Sequence, residues 1–161
     1  MKTRIRICIA AMTLSILLAF AFAGCSNKSG NTIDEPEITA DYLIEDYSQQ
    51  LITDGGENML GHVTMEKTGD TYAVHFSERE VVPSTEYKEG YYIADTNVTV
   101  DGTLGLDARF VCLHDGEAEV SNADDFIKHQ NDDSERLYSV YFLGTSAELI
   151  IEVEPESVIA E

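Results

Sequence analysis

The chain has 161 residues, a length that suits one ordinary domain. It carries 30 acidic residues against 10 lysines and arginines, for a formal net charge of -20. This charge argues against binding nucleic acid or anionic lipid through the folded surface, since both need a basic patch. Hydrophobic residues make up 43% of the chain, so a packed core is expected and wholesale disorder is excluded.

The N-terminus has the layout of an export signal. Residues 1–6 carry three basic side chains and no acid, residues 7–24 are uncharged and largely apolar, and an Ala-Gly pair precedes Cys25. This stretch resembles the lipobox of bacterial lipoprotein precursors, although Phe22 stands where that family usually has leucine. The resemblance implies that residues 1–24 are a cleaved signal peptide and that Cys25 is lipidated, carrying palmitate or a similar acyl chain.

The export signal predicts the domain organisation and the localisation. Residues 25–38 are expected to be the lipidated cysteine and a flexible polar tether, and residues 39–161 a single globular domain. An uncleaved transmembrane anchor is the alternative, because the apolar run reaches the lower limit for spanning a bilayer. Both interpretations place the domain outside the cytoplasm, and lipidation holds it on the outer face of a bacterial cell membrane.

The first predicted element of the domain is a helix. Leu43, Tyr47 and Leu51 recur at four-residue spacing behind Asp41, which is typical of one apolar helix face. The pair Gly55-Gly56 is a suitable end for this helix.

Two hairpins are predicted next. The first joins residues 60–67 to 71–78 through a loop at Thr68-Gly69, and Pro83 ends it. Its register would pair Met65 with Tyr72, Val63 with Val74, and His62 with His75. The second joins residues 91–100 to 104–113 through Asp101-Gly102-Thr103, which would place Asp95 opposite Arg109.

The remaining pattern completes an α+β domain. Residues 110–113 are apolar on both faces, which favours a central strand covered on both sides. A short helix near 122–130 is predicted with Ser121 as its N-cap, followed by a hairpin of 137–143 and 147–154. The expected fold is an antiparallel β meander of about six or seven strands with an N-terminal helix and the short helix near 122–130.

No catalytic or metal site is predicted. His62 and His75 lack a third ligand at telling spacing, and Cys112 beside His114 lies in an acidic domain that would raise the thiol pKa rather than lower it. We therefore expect Cys112 to be a buried small hydrophobe and the protein to need no cofactor. Weak divalent-cation sites at the acidic clusters remain an alternative to a solvated acidic rim.

Tyrosine supplies the candidate binding residues. The chain has 8 tyrosines and no tryptophan, and Tyr87, Tyr91 and Tyr92 crowd one segment. The leading hypothesis is a non-catalytic, lipid-anchored domain that binds a protein or cell-envelope component. The alternative is a lipoprotein inhibitor or immunity factor that blocks a basic enzyme such as a lysozyme, using its negative charge for steering.

Overall fold

A computed structural model describes residues 38–159 of the chain. The predicted signal peptide, Cys25 and nearly all of the predicted tether lie outside the described residues. The sheet contains six strands: β1 (Glu57–Thr68), β2 (Thr71–Pro83), β3 (Tyr91–His114), β4 (Glu117–Ser121), β5 (Leu137–Leu143) and β6 (Ser146–Val153). The helical segments are α1 (Ala40–Tyr42), a π-helical turn (Leu43–Tyr47), α2 (Ser48–Thr53), α3 (Ala123–Asp132) and α4 (Pro155–Val158).

Among the described residues, no helix combines the length and apolar character needed to cross a membrane.

Five of the strands close into a ring. The sheet order is β2-β1-β5-β6-β3-β4, and an additional pairing of β2 with β3 joins the two ends of the five-stranded part. All pairs are antiparallel except β3 with β6, which run parallel. The result is a small Greek-key barrel of the kind found in OB-folds, with β4 attached to the end of β3. The α+β class is confirmed, although the sheet is mixed rather than a simple meander.

The core has two parts. The larger part is formed by side chains of β1, β2, β3, β5 and β6, and α3 adds Phe126 to it. The ring centroids of Phe126 and Phe110 are 4.9 Å apart. The smaller one lies under the N-terminal helix, where Leu43 and Leu51 cover Val111. These helix residues are buried because they lie on one face, so the helix predicted from their spacing is confirmed.

The first hairpin forms, but its predicted register is wrong. The loop is Gly69-Asp70, with Gly69 at φ +65, and Thr68 pairs with Thr71. The register therefore differs by two residues from the predicted one: Met65 pairs with Val74, Val63 with Phe76, and His62 with Ser77. A shift of two keeps every side chain on its predicted face, because the side-chain period of a strand is also two.

The second predicted hairpin does not exist. Residues 101–103 continue an extended strand, so the whole of β3 is one element of 24 residues. Gly102 is not in a turn; a Cβ at this position would collide with the Thr145 carbonyl oxygen of the β5–β6 loop. Asp95 and Arg109 are therefore fourteen positions apart along one strand, and Asp95 instead forms an ion pair with Arg79 at 3.2 Å.

The C-terminal predictions hold to within a residue or two. The final hairpin is β5 and β6, and Phe110, Val111 and Cys112 are buried as expected for a central strand. The N-cap of α3 is Asn122 rather than Ser121, because the Asn122 side chain accepts a hydrogen bond from the Asp125 backbone N–H at 3.0 Å.

Candidate functional site

An open edge lies in the middle of β3. Up to Thr103 this side of the strand is paired with β2, and from Phe110 onward it is paired with β4. Within the described residues, no strand pairs with residues 104–109 on that side. An unpaired edge presents backbone N–H and C=O groups that can hydrogen bond to an added chain.

A groove of about 450 Å³ runs along this open edge. The start of β2, the end of β4 and the start of α3 form its walls. Its lining includes the apolar or aromatic residues Ile38, Tyr72, Leu104, Leu106, Ala108, Phe110, Val120 and Ala123. This volume lies in the range of small-ligand and peptide pockets, and the apolar lining gives a ligand surface to bury.

The wall of the groove bulges outward at Leu106. On its other side β3 pairs Leu104 with Ala147 and Arg109 with Leu149, so four residues of β3 face the single residue Glu148. The bulge leaves the Leu106 side chain fully exposed. An exposed leucine beside an apolar groove is a common feature of a contact surface, although a single exposed apolar residue is ordinary by itself.

Polar side chains fix one rim of the groove. The Tyr72 hydroxyl donates a hydrogen bond to Asp124 at 2.9 Å, and the Lys67 ammonium lies 3.2 Å from the same carboxylate oxygen. The hydrogen bond from Tyr72, then the hydrogen bond from Lys67 and the charge of Lys67, lower the pKa of Asp124. The Tyr72 ring is thereby held in place at the groove, while Asp70 adds a further acid to its lining.

The tyrosines predicted from sequence lie elsewhere. Tyr87 and Tyr92 form an exposed pair with ring centroids 5.3 Å apart, at the tip of the ribbon made by β2 and β3. The Tyr91 hydroxyl instead donates a hydrogen bond to Glu156. The structure therefore brings two of the three together, but it does not place them in the groove. Tyr72, which does line the groove, was missed because it alternates like any strand residue.

Cys112 lies in a buried polar cluster rather than in an open pocket. The Cys112 side chain is fully buried, and neither Cys112 nor His114 lines the groove along β3. Burial first, and then the charge of Glu152, raise the pKa of the thiol to about 11. A thiol with this pKa is a poor nucleophile at neutral pH, in line with the sequence-based expectation.

Glu152 is the centre of that cluster. Its carboxylate accepts hydrogen bonds from the Leu113 backbone N–H at 2.7 Å, from His129 Nε2 at 2.6 Å and from the Arg136 guanidinium. Burial alone would raise the pKa of Glu152, but these three hydrogen bonds outweigh it and lower the pKa. Glu152 was not among the residues predicted from the sequence, although an acid inside the apolar run of β6 is a signal for a buried, partnered charge.

The two histidines first considered as a metal pair do not face each other. His62 lies opposite Ser77, and its Nδ1 is 2.9 Å from the Arg136 carbonyl oxygen. His75 lies opposite Thr64 and pairs with the exposed Asp101. The register shift separates them.

Comparison with known proteins adds no family to this geometry: no family model, no curated protein and no solved structure matches the chain.

Proposed function

We propose that this protein is a non-catalytic, lipid-anchored binding protein on the outer face of a bacterial membrane, and that it binds an extended segment of a basic protein partner. The observation that carries the proposal is the groove of about 450 Å³ along the unpaired edge of β3. An extended peptide can add to such an edge through main-chain hydrogen bonds and place alternate side chains in an apolar groove.

Charge decides the kind of partner. The chain has a formal net charge of -20, so a basic partner is attracted and nucleic acid, the ligand of many OB-fold barrels, is repelled. An inhibitor or immunity factor also needs a basic target. The groove favours capture of an extended segment over insertion of a protruding acidic loop, so the binding hypothesis takes precedence.

Site-specific photo-crosslinking tests the groove. A photoreactive residue is placed at Leu106 in the full chain in its native envelope, with the same residue at Val98 as the control, because both side chains are exposed on the same strand. We expect a cross-link at Leu106 to a segment with net positive charge, weakened by high salt, and no such product at Val98. Equal cross-linking at both positions, or linkage to glycan or to a neutral or acidic segment, would contradict the proposal.

The anchoring is tested separately. Cys25→Ala should move the protein out of the detergent phase or leave it as an unprocessed precursor, whereas Cys112→Ala should leave processing unchanged. An unchanged mature mass and unchanged partitioning of Cys25→Ala would contradict lipid anchoring. This outcome would not bear on peptide binding in the groove.

A further inference from the structure

Three different metal-ligating side chains meet in the core. Cys112 comes from β3, His129 from α3 and Glu152 from β6. One sulfur, one ring nitrogen and one carboxylate oxygen of these residues all lie within 4.8 Å of one another. Cys112 and His129 are 17 residues apart in the sequence, and His129 and Glu152 are 23 apart, so no local motif indicates the group. The packing of α3 against the barrel brings the three side chains together.

We propose that Cys112, His129 and Glu152 form a zinc site. Thiolate, imidazole and carboxylate are the ligand types that zinc binds in proteins, and three protein ligands plus water is a recurring arrangement. The thiolate and the carboxylate together neutralise the two charges of the ion. On binding, the Cys112 thiol proton passes to solvent. The proton that His129 Nε2 donates to Glu152 also leaves that nitrogen, so that the bound imidazole is neutral and carries its one ring proton on Nδ1. The proposal is independent of the groove.

The geometry requires little movement. His129 Nε2 and Glu152 Oε2 are now 2.6 Å apart, which is a hydrogen-bond length. Tetrahedral ligands at about 2.0–2.1 Å from zinc lie about 3.3 Å apart, so this pair must open by less than about 1 Å. The hydrogen bond between the two ligands is exchanged for two bonds to the ion.

Arg136 acts on the other oxygen of the same carboxylate. Its guanidinium donates to Glu152 Oε1, while Oε2 accepts from the Leu113 backbone N–H and faces His129 Nε2. Outer-shell partners of this kind orient the ligand oxygen in metal sites. The cluster lies just under the surface, since His129 keeps 11% of its side chain exposed and its ring packs against the exposed His114.

A second observation concerns a buried, unsatisfied polar group on a residue whose ring packs against Phe126 of α3. The Tyr138 hydroxyl is buried and has no hydrogen-bond partner, which is costly for a polar group. Burial first, and then the charges of Glu152 and Cys112, raise the pKa of this hydroxyl. A water molecule in the fourth position of the zinc ion would provide the partner that Tyr138 lacks.

Metal binding is measured on the full chain in detergent micelles, with Cys8→Ser and Cys25→Ser so that Cys112 is the only thiol. After removal of metal with a chelator, zinc is titrated in competition with a chromophoric chelator and excess magnesium, which suppresses weak binding to surface acids. We expect one zinc per chain. Cobalt should give a thiolate-to-cobalt charge-transfer band, and zinc should raise the melting temperature where magnesium does not.

Matched variants locate the site. Loss of outer-shell partners alone lowers metal affinity by about 10–100-fold, so Cys112→Ser and His129→Gln should each lower zinc affinity by about 100-fold or more. His75→Gln is the control, because His75 is exposed and pairs only with Asp101. Its zinc affinity should not change.

The cobalt spectrum of the parent chain tests the site even if a variant fails to fold. A cobalt complex of the parent chain with no thiolate band, or no stoichiometric zinc uptake at all, would overturn the proposal. So would undiminished zinc binding by folded Cys112→Ser. The cluster would then be a hydrogen-bonded network that only stabilises the fold.

Discussion

The two halves of strand β3 share one backbone but have different surroundings. Residues 91–102 pair with β2, and their side chains are exposed or half-buried. The first of them, residues 91–95, pair with the end of β2 beyond its pairing with β1 and form a two-stranded ribbon. Residues 109–114 lie between β6 and β4, and Phe110, Val111 and Cys112 are buried. The difference shows why one half has a polar alternating sequence and the other a continuous apolar run: only the second is covered on both faces.

The largest expected effect comes from removing a buried ring in the second half. Phe110 is 2% exposed and packs on Phe126, so Phe110→Ala should lower the free energy of unfolding by about 3–5 kcal/mol. Val98→Ala in the first half removes an exposed side chain and should change it by less than about 0.5 kcal/mol. Equilibrium denaturation in urea measures both. Similar losses at the two positions would show that the two halves do not differ in their contribution to stability.

A second prediction concerns the point where the halves join. A Cβ at Gly102 would push against the Thr145 backbone, so Gly102→Ala should cost about 1–3 kcal/mol in unfolding free energy. It should also weaken the hydrogen bond that the Thr103 N–H donates to the Thr145 carbonyl, now 3.1 Å. Amide hydrogen exchange at Thr103 reports that bond directly. The exposed Thr99→Ala is the control and should leave exchange at Thr103 unchanged.

A third and smaller effect tests the register of the ribbon. The Arg79–Asp95 ion pair is partly exposed, so reversing either charge should cost less than about 1 kcal/mol in unfolding free energy. The double swap Arg79→Asp with Asp95→Arg should recover part of that loss, because the attraction is restored. The matched swap Asp95→Arg with Arg109→Asp should recover none of it. If only the Asp95/Arg109 swap recovered stability, the predicted hairpin at 101–103 would be supported and the observed register contradicted.

The smallest expected difference between variants in the two halves is in how much salt raises their melting temperatures. A net charge of -20 repels itself in the compact state, and about 0.1 M salt shortens the Debye length to about 10 Å. Sodium chloride should therefore raise the melting temperatures of the parent chain, Phe110→Ala and Val98→Ala by similar amounts.

Calcium at matched ionic strength should raise the melting temperature no more than magnesium does if the acidic clusters are a solvated rim. A large rise specific to calcium would show a real site instead.

Local patterns were sufficient for most elements. Four-residue apolar spacing located the N-terminal helix, and alternation located β1, β2, β5 and β6, because burial on one face constrains the sequence directly. The Asp-Gly pair at 101–102 predicted a turn that does not form, since the same dipeptide is suited to a tight turn or to a close approach of two backbones. No local pattern distinguishes these, because the contact that selects between them comes from Thr145.

The α+β class, the burial of Cys112 and the acidic surface could be predicted from the sequence, because each depends on residue type and spacing along the chain. The barrel closure, the open edge of β3 and the meeting of Cys112, His129 and Glu152 could be seen only in the folded chain. These features depend on which strands become neighbours. That choice is made by the packing of the whole core, which couples residues far apart in the chain and leaves no periodic mark on any one segment.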